Sequence, residues 1–359
     1  MITKYRDIDI AFIMKSMRSG LLMIFLLLYS YHSFSQAKPA YNQYILNNYI
    51  LNPGVTGIEN YGDLKMSYRN QWQGINGAPV TTYLTYNTPV GKMETRTNPN
   101  SMDVVGNNPM GQKFTEEYIA PEPHHGVGVS FVNDRTGYIN QWSFSGSYAY
   151  HRPVSYQSTL SGGISAGLSG IRLDRTQIDF SSLETNDPAV GYTNLELNKL
   201  KVDVGVGLWL YSTRYYAGLS ALNIIPGKSK YVRSSDYGFY YTPNYFLTGG
   251  YRIFFNTDFS MTPSVMLQYW KPQLTGVHFS SKLQYRDYAW LGATYRHADL
   301  LGGYSAFAGL NVMNTFTLSY SYEVANSTRL KTYTNNTHEI MIGLMFGNTY
   351  SKLFEKNVW

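Results

Sequence analysis

The chain has 359 residues, of which only 14% are charged while 16% are aromatic, including 34 tyrosines. It contains no cysteine, which excludes a disulfide framework, a thiolate nucleophile and any cysteine-based metal centre. A formal charge of +6 that is not gathered into a lysine and arginine cluster argues against a nucleic-acid partner.

Residues 1–35 read as a cleaved signal peptide. Lys15 and Arg18 supply a basic start, and Leu21 to Leu28 form an apolar core too short to span a bilayer. Ser33-Phe34-Ser35 then places small residues at the cleavage positions, ahead of Gln36. Removing this leader leaves a net charge of +4, since Lys4, Arg6, Lys15 and Arg18 depart with Asp7 and Asp9. An anchor helix in its place would need about 20 apolar residues. Residues 36–62 read as an irregular N-terminal segment, with Tyr41, Tyr44 and Tyr49 set between asparagines and Asn52-Pro53-Gly54 near its end. Three placements remain open for it: the lumen of a barrel, the periplasmic rim, or a disordered lead-in.

From Asp63 to Val90 the sequence reads as a hairpin. Val80, Leu84 and Tyr86 share one parity while Thr81, Thr85 and Asn87 share the other, a period of two that predicts a half-buried strand. Gly74, Asn76 and Gly77 suit the left-handed conformations of a tight connection, and Pro79 opens the returning strand. The first strand is expected over 63–72. That puts Arg69 and Trp72 on opposite faces, Arg69 in a lumen ion pair and Trp72 at the membrane interface.

The pattern then repeats. Leu160, Ile164 and Leu168 alternate with serine and glycine, as do Phe144, Tyr148 and Tyr150 with Ser143, Ser145 and Ser147. Val265 and Leu267, then Leu318 and Tyr320, then Ile340 and Ile342 carry the same alternation toward the C-terminus. The runs are about ten residues long, the length of a tilted membrane strand. Aromatic pairs crowd their ends (Tyr148/Tyr150, Tyr215/Tyr216, Tyr240/Tyr241, Tyr269/Trp270), as interfacial girdles require. No helical periodicity appears beyond the leader. The expected fold is therefore all-β: a single antiparallel transmembrane β-barrel of about 14 strands, of the outer-membrane type, over residues 63–347. It carries a polar insertion at 91–124 and a C-terminal tail at 348–359. A soluble β-sandwich adhesin is the alternative reading of the same alternation.

Chemistry-bearing clusters are scarce. His124 and His125 stand beside Glu122, but neighbouring strand residues point to opposite faces, so the two rings are not expected to share a metal ion. Asp203 is expected to face the lumen and pair with an inward arginine, and Arg286 reads as a turn charge. No phosphate-binding glycine loop or nucleophile elbow is present. These features predict no enzyme, no metal and no cofactor.

Asn52-Pro53-Gly54 with Gly57, then Arg69, Gln71 and Trp72 followed by Gly74, Gly77, Ala78 and Pro79, resemble the opening of the PorP/SprF family. Gly126-Val127-Gly128-Val129-Ser130-Phe131-Val132-Asn133-Asp134 and the closing His338-Glu339-Ile340 are similar too. The resemblance implies an outer-membrane component of the type IX secretion and gliding machinery of Bacteroidetes. It implies partners in a secreted cell-surface protein, held through its C-terminal domain, and in periplasmic secretion machinery, besides the outer-membrane lipid. The quoted motif residues then carry a structural or partner-binding role. A porin or small-solute transporter is the alternative function.

Overall fold

The computed structural model describes residues 43–92, 118–173, 200–230, 238–241, 243–270, 275–286, 288–297, 302–312, 315–326 and 333–347. The expected leader, the C-terminal tail and most of the polar insertion lie outside the described residues. Three short 3-10 turns come first, at Tyr44–Leu46, Asn48–Ile50 and Pro53–Val55. Strands follow: β1 (Gly62–Asn70), β2 (Val80–Val90), β3 (His124–Thr136), β4 (Ile139–Ser155), β5 (Ser158–Leu173) and β6 (Leu200–Tyr211). Next come β7 (Tyr215–Leu222), β8 (Gly227–Lys230), β9 (Gly238–Tyr241), β10 (Asn244–Tyr251), β11 (Ile253–Phe254) and β12 (Phe259–Trp270). The last five are β13 (Thr275–Tyr285), β14 (Ala289–His297), β15 (Gly303–Val312), β16 (Phe316–Ala325) and β17 (Thr337–Phe346).

Fourteen of these strands close into one antiparallel barrel. Each pairs with its neighbour in sequence, and the ring shuts where β1 meets β17, from Gly62 opposite Phe346 to Asn70 opposite His338. β10 pairs directly with β12, so β11 is a two-residue extension along the edge of β12. β8 and β9 pair only with each other. Closure matters because hydrocarbon offers no hydrogen-bond partner to an open strand edge.

The alternation seen in the sequence is the division between lipid and lumen. Val265, Phe279, Leu318 and Ile340 are exposed on the outside, whereas Thr81, Thr85, Ser264, Ser319 and Ser321 are buried within. One end of the ring turns tightly, at 156–157, 212–214 and 286–288, with the 91–123 connection as its exception. The other end carries the longer connections 71–79, 174–199, 223–243 and 326–336.

Three sequence-based placements need correction. β1 ends at Asn70, so Trp72 is not a strand residue; it sits in the following turn with φ of 54°. Tyr216 is no girdle residue, because it points inward and stacks on Trp209 with ring centroids 5.1 Å apart. Tyr240 and Tyr241 belong to β9 and lie outside the barrel wall.

A charge at the mid-height of the outer wall should be the most damaging surface change. Phe279→Arg is expected to lose about 2–4 kcal/mol, against about 0–1 for Tyr288→Arg at the turn-level rim. Urea titration of barrels refolded into lipid vesicles measures both.

Candidate functional site

The lumen is occupied by the chain's own N-terminal segment. Residues 43–60 enter it as the three 3-10 turns, and Tyr44, Ile45, Tyr49, Leu51, Val55 and Ile58 are all buried there. Tyr44, Ile45 and Leu51 pack on Phe246, Met266, Trp290 and Phe307 of the wall. Tyr49, Val55 and Ile58 pack on Trp209, Tyr211 and Tyr216. These large inward-facing residues break the small, polar rule of the lumen face, and they do so where the segment covers them.

An irregular segment inside a barrel brings unpaired backbone groups, each costly unless bonded. Wall side chains supply the partners. Ser220 Oγ donates to the Leu51 carbonyl at 2.6 Å, Ser161 Oγ to the Gly54 carbonyl at 2.7 Å, and the Gly57 N–H donates to Asn87 Oδ1 at 3.0 Å. Asn52 works in both directions. Its Nδ2 donates to the Leu208 and Leu219 carbonyls at 3.0 and 3.3 Å, while its Oδ1 accepts from the Gly54 N–H at 2.8 Å. At the leading end, Ser319 Oγ donates to Gln43 Oε1 at 2.5 Å and Asn47 Nδ2 to Thr85 Oγ1 at 3.1 Å.

The wall also lacks side chains where the segment lies closest. A Cβ at Gly126 would overlap the Thr56 carbonyl, one at Gly163 the Pro53 carbonyl, and one at Gly207 the Asn52 side chain. Glycine in a strand marks such a backbone approach. These three glycines form the seat of the plug.

His124 and His151 lie at the tight-turn end. His124 points into the lumen and His125 outward against Tyr148 and Tyr150, as the parity argument expected. His151, scattered in the sequence, is the cross-strand partner of His124, and the two rings stack 4.4 Å apart with planes 4° from parallel. His151 Nε2 lies 2.8 Å from the Thr56 carbonyl and Nδ1 lies 3.0 Å from the Tyr211 hydroxyl. Lys92 Nζ donates to the Ile58 carbonyl at 2.8 Å. Burial pushes the Lys92 ammonium down to about 8, with Glu59 acting in the opposite sense. Either protonation state of the amine can donate, so this latch on the segment does not depend on that titration.

The other half of the lumen is charged. Glu323 receives Arg69 Nη2 at 2.8 Å and Arg296 Nη2 on its second oxygen, with all three side chains buried. Ser67 Oγ donates to Glu339 at 3.0 Å, and Thr81 Oγ1 to Asp134 at 2.5 Å. The lumen ion pair foreseen for Arg69 is thus present. Asp203 pairs with Lys201 at 2.9 Å, two residues away on the same face, and not with an arginine.

The residues singled out in the sequence fall into two groups. Asn52, Pro53 and Gly57 are buried in the plug and its seat. Arg69 leads from the lumen into the second group, at the longer-loop end. There the Gln71 N–H donates to the Pro79 carbonyl at 2.9 Å and the Ala78 N–H to Ile75 at 3.1 Å, closing the turn. The Gln73 N–H donates to the Asn336 carbonyl and the Asn335 N–H to Gln73, tying this turn to the one before β17. The Gly137 N–H donates to the Gly77 carbonyl at 2.8 Å and adds the β3–β4 turn. Gly74 and Gly77 have φ of 98° and 74°, conformations that favour glycine. Trp72 shares this left-handed geometry, held by its N–H to Thr337 Oγ1 at 3.2 Å. Sequence reasoning missed the plug seat (Gly126, Gly163, Gly207) and Glu323. The only signal was glycine on the lumen parity, which has no partner until the barrel closes.

Two outcomes follow. Gly163→Val should unseat the plug and give measurable conductance in planar bilayers, whereas Gly146→Val, with no clashing neighbour, should leave the barrel silent. Glu323→Gln removes the carboxylate that two buried arginines share and should cost about 3–5 kcal/mol, read from denaturant unfolding in vesicles.

Residues 33–344 match the family described as "Type IX secretion system membrane protein PorP/SprF". A sequence search of curated proteins finds no match. Among solved structures, the chain is similar to the CymD monoaromatic hydrocarbon channel, at 11% identity over 88% of this chain and 95% of that one, with a TM-score of 0.47. The Omp33 outer-membrane protein of Acinetobacter baumannii aligns at 8% identity over 81% of this chain and all of its own, with a TM-score of 0.41. The family match covers most of the chain and the fold is a closed antiparallel barrel: this protein belongs to the PorP/SprF family of type IX secretion system membrane proteins and resides in the outer membrane.

Proposed function

We propose that this protein is a non-enzymatic outer-membrane component of type IX secretion. In this reading it supports export or surface retention of large secreted proteins through their C-terminal domains. The observation that carries the choice is the filled lumen. A barrel whose interior holds residues 43–60 and a buried Arg69–Glu323–Arg296 cluster favours this role over passage of a polypeptide or a solute. Its work then falls to the surfaces at the two ends. The turns fused around Gln73, Gly77, Asn335 and Gly137 form a stiff rim at the longer-loop end, suited to holding an exported domain. The tight-turn end faces the periplasm in this orientation, as outer-membrane barrels prefer. The polar insertion at 91–124 emerges at that end and serves as a docking arm for periplasmic machinery.

The porin alternative predicts rapid swelling of proteoliposomes in small sugars; the proposed role predicts none. Co-purification from detergent-solubilised membranes should recover a secreted protein carrying its C-terminal domain, and recovery of the barrel alone would count against the role. For the docking arm, single cysteines at Ser101 and Thr115 should escape an impermeant maleimide in intact cells. Labelling of either would place the insertion outside and end that part of the reading.

A further inference from the structure

The outer wall is apolar but not smooth. At the tight-turn end, between β12 and β16, it holds a groove of about 480 Å³. Phe259 and Tyr285, with ring centroids 4.9 Å apart, wall one side, and Leu318 and Tyr320 wall the other. Ala289 and Ala308 lie between them. Register explains the hollow: Ala289 is the cross-strand partner of Tyr285, and Ala308 that of Tyr320, so each small side chain leaves a space that a bulky neighbour encloses.

A pair of opposite charges stands at the mouth of this groove. Arg286 follows Tyr285 directly and has φ of 44°, a left-handed conformation uncommon for arginine. Asp258 holds it there: the Arg286 N–H donates to the Asp258 carbonyl at 2.7 Å, and Nε donates to Oδ1 at 2.8 Å. The guanidinium lies 5.7 Å from the centre of the Tyr285 ring. Both charged side chains remain about one third exposed, at 37% and 35%. A guanidinium has further donors beyond Nε and matches phosphate geometry, and the carboxylate accepts from an ammonium. Tyr285, Tyr288 and Phe259 at the strand ends mark this level as the membrane interface, where lipid headgroups lie.

We propose that the groove is a binding site for one phospholipid with a zwitterionic ethanolamine headgroup. An acyl chain lies over Ala289 and Ala308, the phosphate engages Arg286, and the ammonium engages Asp258. A singly anionic lipid such as phosphatidylglycerol satisfies Arg286 but places no cation on Asp258, so it binds more weakly.

Native mass spectrometry of the purified barrel in mild detergent tests this, with micelles doped with phosphatidylethanolamine or phosphatidylglycerol. One phosphatidylethanolamine retained per barrel is expected, with about tenfold lower retention of phosphatidylglycerol. Ala308→Phe fills the groove and should abolish retention of both; Ala289→Leu is the second filling variant if the first does not fold, judged by heat-modifiable gel migration. The double variant Arg286→Gln/Asp258→Asn keeps the groove and should retain the two lipids alike. A wild-type barrel that retains neither lipid, or both equally, overturns the proposal. So does a filled groove that still retains lipid, or a dimer broken by Ala308→Phe, which would assign the groove to a second copy.

Discussion

The structure depends on one close approach, the main chain of residues 52–57 lying against a wall stripped of side chains at Gly126, Gly163 and Gly207. A fourteen-strand ring encloses more space than its own serine and threonine side chains fill. The N-terminal segment fills it, and it can do so only because carbonyls of the plug meet bare backbone and wall hydroxyls at hydrogen-bond distance. Everything else in this part of the lumen answers to that contact. Trp209, Tyr211 and Phe246 are inward because an apolar plug face covers them.

The charged half follows a different logic. Arg69 lies far in sequence from Arg296 and Glu323, and the burial of all three is tolerated because each charge has a partner. Such a cluster adds little net stability over an apolar filling, but it ties β1, β14 and β16 into one arrangement, since a buried charge that loses a partner is costly. The plug and the ion cluster each fill a part of the interior.

The motif that opens the barrel takes on a physical meaning in this setting. Asn52, Pro53 and Gly57 hold the plug to its seat, while Gln71, Gly74, Gly77 and Pro79 shape a turn bonded to two others. These residue types answer to assembly: a side-chain amide that bonds in both directions, glycines at left-handed positions, and a proline carbonyl closing the turn.

How much was legible follows from the range of each interaction. Strand identity, strand boundaries within a few residues and the face each side chain takes are local, because a period of two and turn glycines act over neighbours in sequence. Hence the runs around Val80–Val90, Ser158–Leu173 and Thr337–Phe346 could be read directly, and so could the opposite faces of His124 and His125. Arg69 could be assigned to the lumen by parity, but its partner Glu323 lies 254 residues away and no local rule selects it. Tyr216 misled for the same reason: an aromatic at a strand end looks alike whether it meets lipid or another ring. The polar-aromatic stretch around Tyr44 and Tyr49 had no periodicity to follow, so its place in the lumen was decided only when the closed wall offered Ser147, Ser161, Ser220 and Asn87 as partners. The sequence by itself determined a membrane-spanning antiparallel barrel, because alternation and turn chemistry are written residue by residue. Only the tertiary structure decided that the barrel is filled, because the seat of the plug is assembled from glycines and hydroxyls that come together when the ring closes.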